Sequence, residues 1–322
     1  MGKYILRRIG FLIPVLALVS VLGFAILLAL PGDPLDTLVI GDPNITQADV
    51  QQMRDVYGLD DPLPVQYGKW ISQLVQGNAG FSRQYRIPVT DLVGPALRNT
   101  LVLAGLALLF SVIISIPIGI YSAIRPYSPG DHAFTIFSFV GYALPNFWLG
   151  LVLIMVFAVT LGWLPAGGIS SAVTDADLWA TLVDRARHLL LPVVVLGLST
   201  MALWTRYMRS SLLEVVGEDY ILTARSKGLP KSTVINRHAL RNALLPMISL
   251  TANTIQLLAG GSVVVEKVFS YPGIGKMLFD SIMGNDYSVA LAILLIMSLL
   301  VVGLNLVADL LYGILDPRIR YE

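Results

Sequence analysis

A mostly apolar chain is interrupted by one polar, basic segment, GEDYILTARSKGLPKSTVINRHALRNALLP (residues 217–246). Of the 322 residues, 55% are hydrophobic and only 13% are charged, and the mean hydropathy is +0.73. Soluble domains carry about 25% charged residues, and a soluble chain this apolar would lack the polar groups to cover its surface. We therefore interpret the protein as an integral membrane protein and the interruption as a segment outside the bilayer.

Six segments are long and apolar enough to cross a bilayer as helices, which takes about 20 residues each. The segments are residues 9–30, 101–124, 134–161, 189–204, 246–265 and 289–311, with approximate ends. The first follows Lys3, Arg7 and Arg8 and so resembles a signal peptide. Because it is long for a signal sequence and five more spans follow, we expect it to remain as the first helix. The sequence predicts an all-α integral membrane protein with six transmembrane helices.

The distribution of Lys and Arg predicts the orientation of these spans, since cytoplasmic loops carry the excess of positive charge. If the N-terminus is cytoplasmic, thirteen basic residues lie on the cytoplasmic side and four in the short outer loops. Both termini and the polar segment are then cytoplasmic. The predicted parts are the N-terminus with the first helix (1–30), an extracytoplasmic loop (31–98), a five-helix core (99–315) that includes a cytoplasmic loop (206–245), and a tail (316–322).

The long outer loop contains two short helical patterns, TQADVQQMRDVYGL (residues 46–59) and LPVQYGKWISQLVQG (residues 63–77). Pro64 in the first turn and Gly77 at the end suit the start and stop of the second helix. Its apolar side chains, among them Trp70, either lie on the membrane surface or pack on the ends of the transmembrane helices. A folded lid without a binding role is an equal alternative.

Several function classes are disfavoured by what the chain lacks. No ionisable residue lies in the middle of a predicted span; the nearest are Arg206, Glu266 and Asp309, which we expect to reach water at helix ends. An ion-coupled carrier usually needs such a group at mid-membrane. SYPGIGKM (residues 270–277) fails the phosphate-loop pattern at Ser270 and Met277.

The chain also shows no pattern for catalysis, metal binding or nucleic-acid binding. It has no cysteine and no HExxH motif. Its three histidines, His132, His188 and His238, are expected to be solvated residues of loops and span edges. The net charge of +1 gives no indication of nucleic acid as a partner. If this protein moves a solute against its concentration gradient, the energy must come from a partner.

The polar segment itself predicts two short helices. EDYILTARSK (residues 218–227) has acidic residues at its start and basic residues at its end, which suits the helix dipole. Gly228, followed by Pro230, is a typical helix stop. A second helix, VINRHALRNALL (residues 234–245), leads into the fifth span. Two interpretations remain open: a solvated loop, or a docking helix whose small Ala224 and Gly228 allow close approach of a partner.

YILTARSKG (residues 220–228), followed by ALRNALLP (residues 239–246), resembles the coupling loop of permease subunits of bacterial ABC importers, more specifically the B-type permease of the dipeptide, oligopeptide and nickel group. Leu222 and Thr223 depart from the Glu-Ala-Ala of the wider importer motif, as in the peptide subgroup. Further similar motifs are LPGDP (30–34), GNAGFS (77–82), ALPNFWLG (143–150), EKVFSYPGIGKMLFDSIMGNDYSV (266–289) and LDPRIRY (315–321).

The resemblance implies a type I importer permease and its partners. A binding protein delivers solute to the outer face, a related C-type permease completes a heterodimer in the lipid bilayer, and two cytoplasmic ATPases hold ATP and Mg. This chain binds no cofactor of its own. A coupling helix transmits closure of the ATPases to the spans, which gives alternating access. The implied coupling residues are Glu218, Asp219, Tyr220, Thr223, Ala224, Arg225, Lys227 and Gly228.

The candidates for lining a translocation path are amide and aromatic side chains at span depth. They are Asn146, Trp148, Asn253, Gln256 and Asn305. Asn253 and Gln256 are three residues apart and share a helix face. Such amides more often form bonds between helices. An uncharged lining favours peptides; the alternatives are nickel chelates, glutathione or oligosaccharides, and, in other classes, a secondary carrier, a channel or a membrane scaffold.

Overall fold

A computed structural model of the chain describes residues 2–29, 51, 54, 58, 60–171 and 177–315. Across these ranges the chain is helical, and the only β pairing is an isolated bridge between Phe81 and Pro88. The predicted all-α fold is therefore confirmed. The helix predicted over residues 46–59 and the tail over 316–322 lie largely or wholly outside the described residues.

Twelve α-helices are described, two of them short. They are α1 (Gly2–Ala29), α2 (Leu63–Val75), α3 (Val89–Ile124), α4 (Pro129–Ala143), α5 (Asn146–Leu153), α6 (Leu178–Val216), α7 (Asp219–Ser226), α8 (Lys231–Thr233), α9 (Leu240–Ala243), α10 (Leu245–Val268), α11 (Ile274–Met283) and α12 (Tyr287–Leu315). A π-helical segment, Ile154–Thr160, continues α5, and a second, Val234–Ala239, joins α8 to α9.

Three of the described helices, α3, α6 and α12, are each long and apolar enough to cross a membrane. The pair α4 and α5, with the π-helical turns that follow, meets the same test only as one bent span. The predicted first and fifth spans are helical, as α1 and α10. The multi-pass membrane fold is thus supported, and the count of six spans stays a prediction.

The third predicted span, residues 134–161, was expected as one continuous helix, and this is wrong. The chain turns between α4 and α5 by 102°. Proline restricts the residue before it to extended conformations, and Leu144, which precedes Pro145, has ψ of 131°. The ALPNFWLG motif therefore contains a break between two helices.

The long helix α6 extends well beyond the predicted span 189–204. Its start is fixed by Asp177, whose carboxylate accepts a hydrogen bond of 2.7 Å from the backbone N–H of Ala180. The extension carries His188, which is 6% exposed and has Nδ1 2.8 Å from the carbonyl oxygen of Asp184. The expectation of a solvated His188 is therefore wrong, because the helix continues past the predicted edge and buries the ring.

The chain divides into two compact units, and the first comprises residues 1–99 and 273–302. Within it, α2 packs on α1. The rings of Phe24 and Trp70 are stacked with centroids 5.9 Å apart, and the hydroxyls of Ser20 and Tyr67 are 2.7 Å apart. Of the two placements considered for the apolar residues of α2, packing on a helix end is the one observed for Trp70.

The second unit comprises residues 100–272 and 303–322. Here α3 and α6 approach closely, since a Cβ added to Gly197 would lie 2.4 Å from the ring of Phe110. Polar side chains also join the two helices: the hydroxyls of Ser111 and Thr200 are 2.7 Å apart. Small residues and hydroxyl groups are the usual means of holding membrane helices together, since lipid is as apolar as the helices themselves.

Glu266, expected to reach water at the end of its span, is instead fully buried within this second unit. The hydroxyl of Thr100 donates a hydrogen bond of 2.6 Å to its Oε1. The expectation was wrong because it considered only the position of Glu266 along its own helix, and not the neighbouring helix that covers it. Arg206 is exposed as expected, and the side chain of Asp309 lies outside the described residues.

Candidate coupling helix and translocation path

Helix α7 is fixed to the rest of the second unit by its inner face. Ile221 is 0% exposed and Ala224 is 7% exposed. Because these residues are three apart, they lie on one face of the helix. They belong to a buried apolar cluster with Trp204, Met208 and Leu212 of α6. The inner face of α7 is therefore packed into the second unit, as a solvated loop would not be.

The outer face of α7 is exposed and carries most of the residues implied by the resemblance. Glu218, Asp219, Tyr220, Thr223, Arg225, Lys227 and Gly228 are all exposed. So is Leu222, with 48% of its surface accessible, next to Tyr220 with 41%. These are two large exposed side chains on a short polar segment outside the predicted spans; because they are two residues apart, they lie on different sides of α7.

Ala224 does not lie on this outer face. The sequence analysis expected its small side chain to admit a partner, but its Cβ points into the apolar cluster under α7. The small size instead allows α7 to approach the chain's own core. The helical repeat accounts for this position, because Ala224 is three residues after the buried Ile221.

Gly228 ends α7 in the left-handed conformation predicted for it, with φ of +76°. Its N–H donates a hydrogen bond of 2.9 Å to the carbonyl oxygen of Arg225. Glycine adopts this conformation at little cost. No described atom of the chain lies within 4 Å of where a Cβ would stand. A side chain here would therefore project away from this chain.

The helix predicted over residues 234–245 is present in part, since its first half is π-helical and its second is α9. A side-chain hydrogen bond joins α9 to α7: Asn242 Nδ2 donates to the hydroxyl of Tyr220 at 2.7 Å. A surface cavity of about 460 Å³ lies beside this bond, lined in part by Arg237 and Arg241. The outer face of α7 thus borders a concave basic surface.

The candidate path residues are only partly described. Trp148 is 47% exposed and Asn253 is exposed, whereas Asn146 and Asn305 are half-buried. The side chain of Gln256 lies outside the described residues. Within the described part of the chain, the side chains of Asn146 and Asn253 form no hydrogen bond. The favoured interpretation, amide bonds between helices, therefore has no support at these two positions.

A buried polar pair in the first unit was missed by the sequence analysis. Ser82 and Asp286 are both fully buried, and the hydroxyl of Ser82 donates a hydrogen bond of 2.5 Å to Asp286 Oδ2. The N–H of Gln84 donates to the same oxygen at 3.2 Å. The two residues stand in separate quoted motifs, GNAGFS and EKVFSYPGIGKMLFDSIMGNDYSV, and nothing in their spacing indicates that these meet.

The apolar helices suit a bilayer, and α7 is a short helix with an exposed, mostly polar outer face. Residues 115–321 match the family described as binding-protein-dependent transport system inner membrane component, and residues 1–90 match the N-terminal part of such components. The chain belongs to this family of ABC importer permeases. The resemblance drawn from the coupling loop is thereby confirmed.

Curated relatives match along the whole chain. It is 47% identical to the oligopeptide transport system permease protein AppB of Bacillus subtilis, over 100% of both chains. It is 36% identical to the dipeptide transport system permease protein DppB of Escherichia coli K12 and 38% identical to the di/tripeptide transport system permease protein DppB of Pseudomonas aeruginosa, again with 100% of both chains covered.

Solved structures support the fold. An inward-facing structure of the MetNI methionine ABC transporter matches with a TM-score of 0.56 at 18% identity, covering 70% of this chain and 97% of that one. An amino acid ABC transporter with histidines matches with a TM-score of 0.53 at 15% identity, covering 70% and 94%. At these identities the likeness concerns the fold alone.

The packing of α7 can be tested by removing its buried anchor. Truncation of a buried isoleucine typically costs about 2–5 kcal/mol, so Ile221→Ala should loosen α7 from α6. We expect faster amide hydrogen exchange over residues 222–228 in the purified protein. Leu222→Ala, at the neighbouring exposed position, is the matched control and should leave exchange unchanged. Equal exchange in the two variants would show that Ile221 does not hold the helix.

Proposed function

We propose that this chain is the membrane permease subunit of an ATP-driven importer that moves peptides delivered by an extracytoplasmic binding protein. The observation that carries the proposal is the full-length match, at 36–47% identity, to permeases named for oligopeptides, dipeptides and di/tripeptides. Nickel chelates, glutathione and oligosaccharides remain alternatives from the sequence, and no described contact favours them.

The exposed groups at span depth support a path for a polar solute. An amide left unbonded in lipid is costly, so the exposed Asn253 is better placed on an aqueous path or against another subunit. Trp148, beside the break at Pro145, offers a large side chain with 47% exposure to the same kind of surface. Both groups are uncharged, which suits peptides whose side chains vary in charge.

The geometry of α7 and the family support the proposed partners. A related C-type permease forms a heterodimer with this chain, and two cytoplasmic ATPases, which hold ATP and Mg, dock on the two permeases. The exposed sides of α7, which carry Tyr220 and Leu222, are the docking surface on this subunit. Because the opposite face is anchored to α6 through Ile221, a push on α7 moves a transmembrane helix directly.

The orientation of the chain in the membrane is part of the same proposal. Both termini and the loop that contains α7 face the cytoplasm, and the segment before α3 faces out, as the excess of basic residues in the cytoplasmic loops indicates. ATP is available only on the cytoplasmic side. The docking surface must therefore be on that side for the ATPases to act.

Uptake into reconstituted vesicles tests the function itself. With all partner subunits present, a labelled dipeptide or oligopeptide should accumulate only when ATP is inside and the binding protein outside. A protonophore should leave uptake unchanged while ATP is held constant, because no ionisable group lies in the middle of a predicted span. Loss of uptake under that condition would indicate a secondary carrier, and uptake of a nickel chelate without any peptide would reject the proposed substrate.

Gly228→Trp tests docking at α7. A left-handed residue other than glycine costs roughly 1–2 kcal/mol, and the indole would project towards the partner surface. We expect normal insertion into the membrane but loss of ATPase co-purification and of uptake, with a milder effect for Gly228→Ala. Lys231→Ala, just beyond the turn, is the control. If Gly228→Trp transports like the parent at equal membrane levels, the segment is a solvated loop.

Orientation can be tested with single cysteines, because the chain has none of its own. Ser72 on α2 and Ser226 on α7 are both exposed, which makes them suitable positions. Ser72→Cys should react with an impermeant thiol reagent added to intact cells. Ser226→Cys should react only after the membrane is opened, in the absence of bound ATPases. Labelling of Ser226→Cys in sealed cells would reverse the proposed topology.

A further inference from the structure

A second cavity, of about 260 Å³, lies within the second unit between α4 and the last third of α6. We propose that this cavity binds the phosphate group of an anionic phospholipid. The residues that carry the argument are Asp131 and Ser138 of α4 and Thr205, Arg206 and Arg209 of α6, all of which line it.

Three polar groups that line this cavity have no hydrogen-bond partner among the described residues. They are the hydroxyls of Ser138 and Thr205, whose residues are 4% and 5% exposed, and the buried Nε of Arg209. Buried polar atoms are nearly always paired. Three unpaired groups around one cavity therefore indicate a missing ligand with polar atoms.

The buried carboxylate of Asp131 does not supply that partner. Its Oδ2 accepts a hydrogen bond of 3.1 Å from Arg209 Nη2 and one of 2.9 Å from the backbone N–H of Tyr127. Its charge is offset by the same arginine. Asp131 thus orients the Arg209 guanidinium through Nη2 and leaves the Nε–H of Arg209 without a partner among the described residues.

The available groups fit an anion that is rich in acceptor oxygens. Arginine N–H groups only donate, and hydroxyls can donate. Arg206 contributes a second guanidinium, which lies over the ring of Phe139 at 4.9 Å from its centroid. With Asp131 and Arg209 compensating each other, one positive charge remains, which matches a phosphodiester. A phosphate also offers more oxygens than a carboxylate to the four donor groups.

The surroundings of the cavity favour a lipid over free phosphate as the source of that group. Helix α4 exposes several large apolar side chains next to it: Phe134, Ile136, Phe137, Phe139 and Tyr142 are 38–64% exposed. Such a surface suits acyl chains. Under the proposed orientation the cavity is on the cytoplasmic side of the membrane, where anionic headgroups bind basic pockets between helices. The inference rests on the proposed function in one respect only, the orientation of the chain in the membrane.

The test uses the full-length protein purified from membranes with its co-purifying subunits. Native mass spectrometry would count bound lipid after addition of phosphatidylglycerol, with inorganic phosphate as a competitor. Phosphatidylethanolamine is the comparison, because it is a zwitterion whose ammonium group offsets the charge of its phosphate. The loss of charge-assisted hydrogen bonds should weaken retention of phosphatidylglycerol about tenfold in Arg206→Gln and in the double variant Ser138→Ala, Thr205→Val. Lys231→Gln removes one exposed charge outside the cavity and should bind like the parent.

The outcomes separate the possibilities. Preference of the parent protein for phosphatidylglycerol, lost in the cavity variants and kept in Lys231→Gln, supports the proposal. Equal retention of both lipids by the parent overturns it without reference to any variant, so a variant that fails to fold does not obscure the result. Binding of inorganic phosphate without retention of phosphatidylglycerol would show that the ligand is not a lipid. None of these readouts depends on peptide transport.

Discussion

The burial of Ile221 and Ala224 is the contact on which the proposed coupling surface depends. An isolated helix of eight residues is not stable in water, since helices shorter than about 12–15 residues are marginal even with favourable sequences. Helix α7 exists because its inner face joins the apolar cluster of Trp204, Met208 and Leu212. The same cluster places α7 against the end of α6. Docking on the outer side of α7 can therefore act on α6, which lies against its inner side.

The rest of the second unit shows the same division between a packed inner side and a surface with no cover from this chain. Close approach at Gly197 and the bond between Ser111 and Thr200 hold α3 to α6 without any charge. Trp148 and Asn253 are exposed instead. The break at Pro145 is what gives Trp148 its position at the start of a new helix. A path for solute and a contact for a second permease both need such surfaces.

Much of the fold could be predicted from the sequence because apolar length and composition determine where helices can cross a bilayer. The helix stop at Gly228 was predictable as well, since it needs only local chemistry. The direction in which Ala224 faces was not, because it depends on which side of α7 meets α6. The burial of Glu266 and His188 and the pairing of Ser82 with Asp286 depend on neighbours distant in sequence. The bend at Pro145 had a local signal in the proline itself, which the apolar pattern on both sides concealed.

The exposed side chains of Tyr220 and Leu222 have a consequence for engineering this protein. In the isolated chain, large exposed apolar side chains favour association and precipitation. A selection for expression yield or solubility would therefore favour polar residues at these two positions, and the inner anchor at Ile221 would keep the fold intact. Such a selection would improve the yield of the single chain while removing the surface that we propose for docking of the ATPases.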